Sequence, residues 1–283
     1  MAWKGVDLSE MNSSVDFQVL KSAGVEFVLL RCGYGNDLAY QDDKRFAENV
    51  QKAEAAGLPW GCYLYSYATT TAMAESEAAH TLRLLGGRKP RYGVWYDVED
   101  PSQAGADLVS ICQAYCGALE SAGLYVGIYS MLAWLNGKLN SARLDRYDKW
   151  VAQWHTQCDY RKPYGIWQFT DRWNIAGNHF DGNYAYKDYP ALVDAMAGAE
   201  SPEPDVGGLT EERARALARE EIAGYLESLA AQPVSPWAEE DVAKARQRGL
   251  LLGDDDGKFR ARSFLTREEA AALANRILAG TEE

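Results

Sequence analysis

The first 190 or so residues alternate strand-like and helix-like segments, and this alternation restricts the folds open to the chain. Short apolar runs rich in β-branched and aromatic residues are typical of buried strands. Repeated βα units predict a parallel sheet covered by helices, and eight such strands predict a closed α/β barrel. The last three strands lie too close together for full connecting helices, so the barrel should be irregular there.

The predicted strands are Trp3–Asp7, Glu26–Arg31, Pro59–Tyr67, Tyr92–Glu99, Tyr125–Tyr129, Lys149–Trp154, Gly165–Phe169 and His179–Tyr184. The predicted helices of this region are Ser14–Ala23, Asp42–Ala56, Thr71–Leu85 and Ser102–Ala122.

The fourth predicted strand ends with two carboxylates, Asp97 and Glu99, separated by one residue. Residues i and i+2 of a strand point to one face, roughly 6.6–6.8 Å apart along the strand. Two carboxylates at one apolar site repel, so their pKa values should split. One acid can then stay protonated while the other stays ionised, as glycoside hydrolysis requires. The alternative is a strand end with two solvated acids.

Polar and aromatic side chains recur at the carboxyl ends of the other predicted strands. In α/β barrels that end of the sheet carries the active site, so their convergence favours a catalytic groove. The residues concerned are Asp7, Arg31, Tyr63, Tyr65, Tyr129, Trp154 and Asp181.

Charge and hydropathy exclude several kinds of partner. The net charge is −12 and the sequence pI is about 4.8, which argues against nucleic acid because phosphate contacts need clustered Lys and Arg. No apolar run approaches the length of a membrane span.

The five cysteines show no zinc or disulfide spacing, so we expect reduced thiols, and no cofactor or metal is expected. In particular, the loop at Gly253–Gly257 does not fit the EF-hand calcium pattern.

Composition changes after the barrel region. All but four of the aromatic residues precede Asp205, and a Pro- and Gly-rich stretch lies at the break. We therefore predict a catalytic domain at 1–198, a linker at 199–208 and a small all-α helix–loop–helix module at 209–283. Helical spacing and capping residues predict helices at Leu209–Leu229, Trp237–Gly249 and Thr266–Leu278.

Taken together, the strand motifs of the first region resemble glycoside hydrolase family 25, the Chalaropsis-type muramidases. One local departure is Tyr63-Leu64-Tyr65, where many members carry Tyr-His-Phe, so a histidine contact is not carried over. The motifs are, in order, Gly5-Val-Asp7-Leu-Ser, Phe27-Val-Leu-Leu-Arg31-Cys-Gly-Tyr-Gly35, Gly61-Cys-Tyr63-Leu-Tyr65-Ser, Trp95-Tyr-Asp97-Val-Glu99, Gly127-Ile-Tyr129-Ser, Trp150-Val-Ala-Gln-Trp154, Ile166-Trp-Gln168-Phe and Phe180-Asp181-Gly-Asn183.

The resemblance implies cleavage of the β-1,4 bond between N-acetylmuramic acid and N-acetylglucosamine in peptidoglycan. It makes Glu99 the general acid and Asp97 its partner, with Asp7 and Asp181 completing the acidic cluster. Retention, inversion and a substrate-assisted course with the acetamido group as nucleophile all remain open, the last being favoured. The candidate substrate-binding residues are Tyr63, Tyr65, Tyr129, Trp154 and Arg31. The aromatic ones could stack on sugar rings from their strand ends, and the alternative is that they fill the barrel interior, as is expected of Trp167.

The second region resembles an S-layer homology motif, through Trp237, Gly249, Gly253, Gly257 and the run Leu265-Thr-Arg267-Glu-Glu. That family implies binding of a secondary cell-wall polymer, with Arg267 and Trp237 as candidate contacts. Only one clear copy is present where three usually act together, so self-association into a homo-oligomer is also expected.

A wall-degrading domain joined to a wall-binding module suggests a phage endolysin. The N-terminal residues lack the apolar stretch of a signal peptide, so we expect synthesis in the cytoplasm of the host bacterium and action on the wall after release. The alternatives are a bacterial autolysin and a non-catalytic protein that binds wall glycan.

Overall fold

The computed structural model describes residues 2–12, 14–198, 219, 233–234, 238–251 and 267–279. The chain divides into two compact units, Met1–Glu200 and Ser201–Glu283. The predicted linker at 199–208 and the predicted helix Leu209–Leu229 lie outside the described residues, apart from residue 219, which is helical.

The first unit is a closed barrel of eight strands in chain order. Strands β1 to β7 pair in parallel, whereas β8 runs antiparallel to both β7 and β1. The strands are β1 Trp3–Leu8, β2 Phe27–Tyr34, β3 Trp60–Tyr65, β4 Val94–Asp97, β5 Val126–Met131, β6 Asp148–Ala152, β7 Ile166–Ile175 and β8 Asn178–Ala185. All eight predicted strands are thus present, and the expected irregular end takes the form of a β7–β8 hairpin.

Helices cover the barrel, and most of them lie in its first half. The helices of this unit are α1 Phe17–Ser22, α2 Phe46–Ala56, α3 Thr71–Leu85, α4 Leu108–Ser121, α5 Leu132–Asn136 and α6 Tyr189–Gly198. The predicted Ser102–Ala122 helix is divided: a 3-10 helix at Pro101–Gly105 precedes α4, which starts after the cap residue Asp107. No helix in the described ranges combines the length and hydropathy that a membrane span needs.

Two apolar clusters hold the unit together. One lies between the strands and the surrounding helices and contains most of the buried aliphatic side chains. The other fills the barrel interior with aromatic rings, among them Phe27, Trp95 and Trp150. Tyr189 of α6 packs against Trp95 and donates a hydrogen bond of 2.7 Å to Asp148, so α6 closes one end of the barrel.

The five cysteines are free thiols, four of them buried, as their spacing predicted. In the second unit the described helices are Glu239–Gln247 and Arg267–Ala279. Gly249, the predicted stop of the first, has a positive φ of 68°, a conformation that favours glycine after a helix.

Candidate active site

The carboxylates of the groove lie at one end of the barrel because the strand register puts them there. Asp7 on β1 pairs with Asp181 on β8. Tyr65, Asp97 and Tyr129 form one in-register row across β3, β4 and β5. The antiparallel direction of β8 brings Asp181 to this end from within its strand instead of from its carboxyl end.

Asp97 and Glu99 do not form the strand pair that the sequence predicted. Strand β4 ends at Asp97, and Glu99 lies in the segment that follows. One residue beyond the end of β4, the backbone still bonds to β5: the Val98 N–H donates a hydrogen bond of 3.0 Å to the Tyr129 carbonyl oxygen. Asp97 is buried whereas Glu99 is half-buried, so the two acids differ in access to solvent.

Asp7 is held by two side-chain amides. Gln168 and Asn183 donate hydrogen bonds of 2.9 and 2.8 Å to the same oxygen of Asp7. Trp150 in turn donates a bond of 2.8 Å to the Asn183 carbonyl oxygen, which fixes the orientation of that amide. Burial first, and then the charge of Asp181, raise the pKa of Asp7 well above its usual range, although the two amides oppose the rise. The two amides therefore hold the Asp7 carboxyl group in a fixed position.

The pKa values of the other acids are also raised. Burial, followed by the charges of Glu99 and Asp7, raises the pKa of Asp97 well above normal. Burial is also the main cause for Glu99, where the Tyr129 hydroxyl opposes the rise and Asp181 adds to it. The pKa of Asp181 rises by burial as well. The cluster thus retains protons at pH values where solvated carboxylates have lost them, which suits a general acid.

One oxygen of Asp97, Oδ1, is buried and has no hydrogen-bond partner among the described residues. A buried carboxylate oxygen without a donor is costly, so such groups deserve a functional explanation.

The aromatic residues predicted to bind sugar divide into two kinds. Tyr63 and Tyr129 are buried, with their rings packed on Trp150 at centroid distances of 5.7 and 4.4 Å, so they form the floor of the groove. Trp154 is 60% exposed and forms a wall. Its indole N–H donates a bond of 3.1 Å to Gln168, the residue that also holds Asp7. Trp167, in contrast, is buried, as expected of a core residue.

Tyr65 and Arg31 border the groove in different ways. The Tyr65 hydroxyl donates a hydrogen bond of 3.1 Å to Asp100. Arg31 lies inside β2 instead of at its end, and its guanidinium binds Asp43 and Glu10 at 2.9 and 3.1 Å. Its charge also lowers the pKa of Asp97, partly offsetting burial. Direct contact of Arg31 with substrate stays a prediction, and two carboxylates already accept hydrogen bonds from its Nε and Nη2.

Two functional side chains were not singled out from the sequence. Gln168 and Asn183 lie in quoted motifs, yet a buried amide gives no distinct sequence signal. The available signal was position: both follow the strand alternation that turns side chains to the interior of β7 and β8. His80 is buried and contacts Asp42 and the Gly35 carbonyl oxygen.

The wall-polymer candidates have a different status. Arg267 is the first residue of the Arg267–Ala279 helix. Its side chain and Trp237 lie outside the described residues, so both stay predictions.

Comparison with known proteins agrees with this geometry. Residues 6–178 match Glycosyl hydrolases family 25, and residues 231–271 match the S-layer homology domain. Among curated relatives, probable GH family 25 lysozyme 4 of Dictyostelium discoideum is 24% identical over 198 residues, which is 67% of this chain and 91% of that protein. The autolytic lysozyme of Clostridium acetobutylicum is 28% identical over 62% of this chain and 52% of that protein.

Solved structures give the same result. The modular autolysin LytC of Streptococcus pneumoniae has a TM-score of 0.59 and 27% identity, covering 65% of this chain and 47% of that one. The lysozyme of Streptomyces coelicolor has the same TM-score of 0.59 at 20% identity, covering 69% and 97%, a likeness of fold. The chain thus spans about half the length of the two autolytic relatives. The family match itself spans more than half of this chain and includes Asp7, Asp97 and Glu99. The chain therefore belongs to glycosyl hydrolase family 25, as a glycoside hydrolase of the lysozyme type, and carries an S-layer homology domain after its barrel.

Proposed function

We propose that the chain is an N-acetylmuramidase that cleaves the β-1,4 bond between N-acetylmuramic acid and N-acetylglucosamine. The observation that carries this proposal is the position and environment of Glu99. It borders the groove, it is half-buried, and burial raises its pKa, so it can donate a proton to the leaving glycosidic oxygen.

The proximity of buried Asp97 to Glu99 supports a substrate-assisted course. In this course the acetamido N–H of the substrate donates to Asp97, and the acetamido oxygen attacks the anomeric carbon as Glu99 protonates the leaving oxygen. The C–O bond to the leaving sugar breaks and an oxazolinium forms. Glu99, now a carboxylate, takes a proton from water, which opens the ring with net retention of configuration.

Analysis of the digestion products tests which glycosidic bond is cleaved. Purified peptidoglycan is digested, the new reducing ends are reduced with borohydride, and the sugar alcohols are identified after acid hydrolysis. The proposal predicts muramitol. Glucosaminitol would identify a glucosaminidase, and the absence of new reducing ends would support a protein that binds glycan without cleaving it.

For the S-layer homology domain, we propose binding of an anionic secondary cell-wall polymer with Arg267 as a contact. A guanidinium binds carboxylate or phosphate bidentately, and self-association would raise avidity on a repetitive polymer. Sedimentation of the full chain with walls, before and after extraction of the secondary polymer, tests binding. Arg267→Lys keeps the positive charge but removes the guanidinium that binds bidentately. A smaller fraction of this variant should therefore sediment with the walls. The mass of the full chain in solution tests self-association. A monomer that does not sediment contradicts both parts.

For the biological role, we propose a phage endolysin, made in the cytoplasm of the host bacterium and acting on the wall after release. The pairing of one catalytic domain with one wall-binding domain supports it. The 28% identity to an autolytic lysozyme favours a bacterial autolysin as the second candidate. Expression inside a bacterium separates the two: lysis only when a pore-forming membrane protein is co-expressed supports the endolysin, and lysis without it supports the autolysin.

A further inference from the structure

A row of tyrosines extends outward from the catalytic centre. In register, Tyr34 of β2 pairs with Tyr65 of β3, and Tyr65 pairs with Asp97 of β4. Neighbouring strands lie about 4.8 Å apart, so this row places the Tyr34 backbone roughly 9–10 Å from that of Asp97. Tyr67 follows β3 and packs between the two tyrosines, with ring centroids 5.2 Å from Tyr65 and 6.3 Å from Tyr34. We call Tyr34, Tyr65 and Tyr67 the tyrosine platform.

The platform is open to solvent but held in place. Tyr67 is 39% exposed, and its backbone N–H donates a bond of 2.9 Å to the buried carboxylate of Glu77. The Tyr65 hydroxyl donates to Asp100, and the Tyr34 hydroxyl donates a bond of 3.3 Å to the Tyr40 carbonyl oxygen. The side chains of Tyr34 and Tyr65 are thus held by hydrogen bonds of their hydroxyls, and Tyr67 is held through its backbone. Fixed rings lose little conformational freedom on binding, which favours a binding surface.

Glu77 anchors the platform from below. It is fully buried, and it accepts hydrogen bonds of 2.8 Å from Ser66 and 2.6 Å from Tyr96. Gln103, from the segment after Glu99, donates a bond of 2.9 Å to the same Ser66 hydroxyl. One buried network therefore ties the Tyr67 loop to the segment that carries the proton donor.

The charge and the chemical groups of the tyrosine platform indicate the kind of ligand that it binds. The rings present aromatic faces, which suit the C–H faces of pyranose rings, and polar hydroxyls at their edges. Asp100 lies beside Tyr65, and hydrogen bonds from Ser102 lower its pKa. The Arg31 guanidinium lies 5.7 Å from the centroid of the Tyr34 ring, so charges of both signs border the platform. A border of mixed charge does not select a charged ligand, and it suits uncharged sugar rings, whose hydroxyl groups both donate and accept hydrogen bonds.

Resting on the proposed muramidase activity, we propose that the tyrosine platform is a distal glycan site, which stacks uncharged sugar units of the strand whose bond is cleaved at Glu99. Its continuity with the Asp97 row lets one strand contact both. The platform therefore sets a preference for long glycan strands over short oligosaccharides.

The test compares strand lengths in the full chain. Substrates are peptide-free glycan strands, either long or cut to tetrasaccharides, and the readout is kcat/KM for each. Tyr67→Ala should lower kcat/KM on long strands by about three- to tenfold, the scale of one aromatic contact, with the loss mainly in KM. The ratio of long- to short-strand kcat/KM should fall accordingly. Tyr67→Phe keeps the ring and should retain the preference for long strands.

Tyr186→Ala is the matched control. Tyr186 is another exposed tyrosine, 42% accessible, and its backbone bonds Gly165 at the start of β7, away from the groove. This variant should keep the parental length preference. An equal loss on both lengths in Tyr67→Ala, or no loss on either, overturns the proposal, as does a loss confined to peptide-bearing strands.

Binding of long strands to the inactive Glu99→Gln chain, measured by calorimetry, separates this proposal from the catalytic one. Weaker binding in the Glu99→Gln/Tyr67→Ala double variant supports the platform whichever bond is cleaved. Unchanged binding contradicts it even if the muramidase product is found.

Discussion

At the scale of single residues, the site depends on acids whose pKa values are raised by burial. Sequence spacing identified Asp97 and Glu99, but it placed both on one strand, whereas Glu99 lies beyond the strand end. The hydrogen-bond partners of Asp7 could not be predicted from the sequence, because Gln168 and Asn183 approach it from β7 and β8. Contacts between residues so far apart in the chain depend on barrel closure, which spacing does not encode.

The first prediction concerns pH dependence. A general acid works only while protonated, so activity is lost as pH rises through the pKa of Glu99, which lies above its usual value. The charge of Asp181 contributes to that rise. Asp181→Asn should therefore lower the pKa of Glu99 and move the alkaline limb of the kcat/KM–pH profile to lower pH.

A surface carboxylate serves as control for this profile. Asp145 pairs with Lys162 and is exposed, so Asp145→Asn should leave the limb in place. A shift of the Asp181→Asn limb to higher pH, or no shift, would contradict the assignment of that limb to Glu99.

At the scale of elements, glycines in the strand motifs make room for the aromatic interior. A Cβ at Gly5 would lie 2.4 Å from the Phe27 ring, and one at Gly127 would lie 2.2 Å from the Trp95 ring. Each glycine faces its large neighbour in register on the adjacent strand. The number and order of strands followed from hydrophobic pattern and spacing. The antiparallel direction of β8 and this pairing of small with large residues did not, because they arise only when the sheet closes.

The second prediction tests that packing. Gly127→Ala should destabilise the barrel by about 1–3 kcal/mol, since Trp95 is fully buried and has no space to move. Thermal unfolding should show a lower midpoint by about 2–4 °C for each kcal/mol.

Helix α4 offers the matched substitution. Nothing lies within 4 Å of a Cβ at Gly117, so Gly117→Ala should be neutral or stabilise the helix by up to about 1 kcal/mol. Equal effects of the two alanines on the unfolding midpoint would argue against the close packing of Gly127 and Trp95.

At the scale of the whole molecule, the residues of the catalytic groove and the S-layer homology match lie in separate parts of the chain. The barrel unit Met1–Glu200 contains both apolar clusters and every groove residue described above. The S-layer homology match lies at 231–271. The composition break near Asp205 predicted this division from the sequence, whereas the function of the second part rests on its motif alone.

The third prediction is that Met1–Glu200 folds alone and cleaves soluble glycan strands with the kcat/KM of the full chain. Its affinity for intact walls should fall by roughly 10²-fold or more, the scale of lost multivalency. Circular dichroism, a soluble-glycan assay and wall sedimentation check the three parts. An unfolded fragment would show that the boundary lies elsewhere.

The role of Glu99 as proton donor is tested by its amide variant. Glu99→Gln keeps the shape and removes the proton, so muramitol release from peptidoglycan should fall by about 10²-fold or more. Folding should be intact. Because ionisation of an acid with a raised pKa weakens the folded state as pH rises, the variant should unfold at an equal or higher temperature than the parent at neutral pH.

Glu75→Gln, on the exposed face of α3, is the matched control and should retain parental activity. The account predicts a folded, inactive Glu99→Gln beside a folded, active Glu75→Gln. Near-parental muramitol release by Glu99→Gln would contradict it.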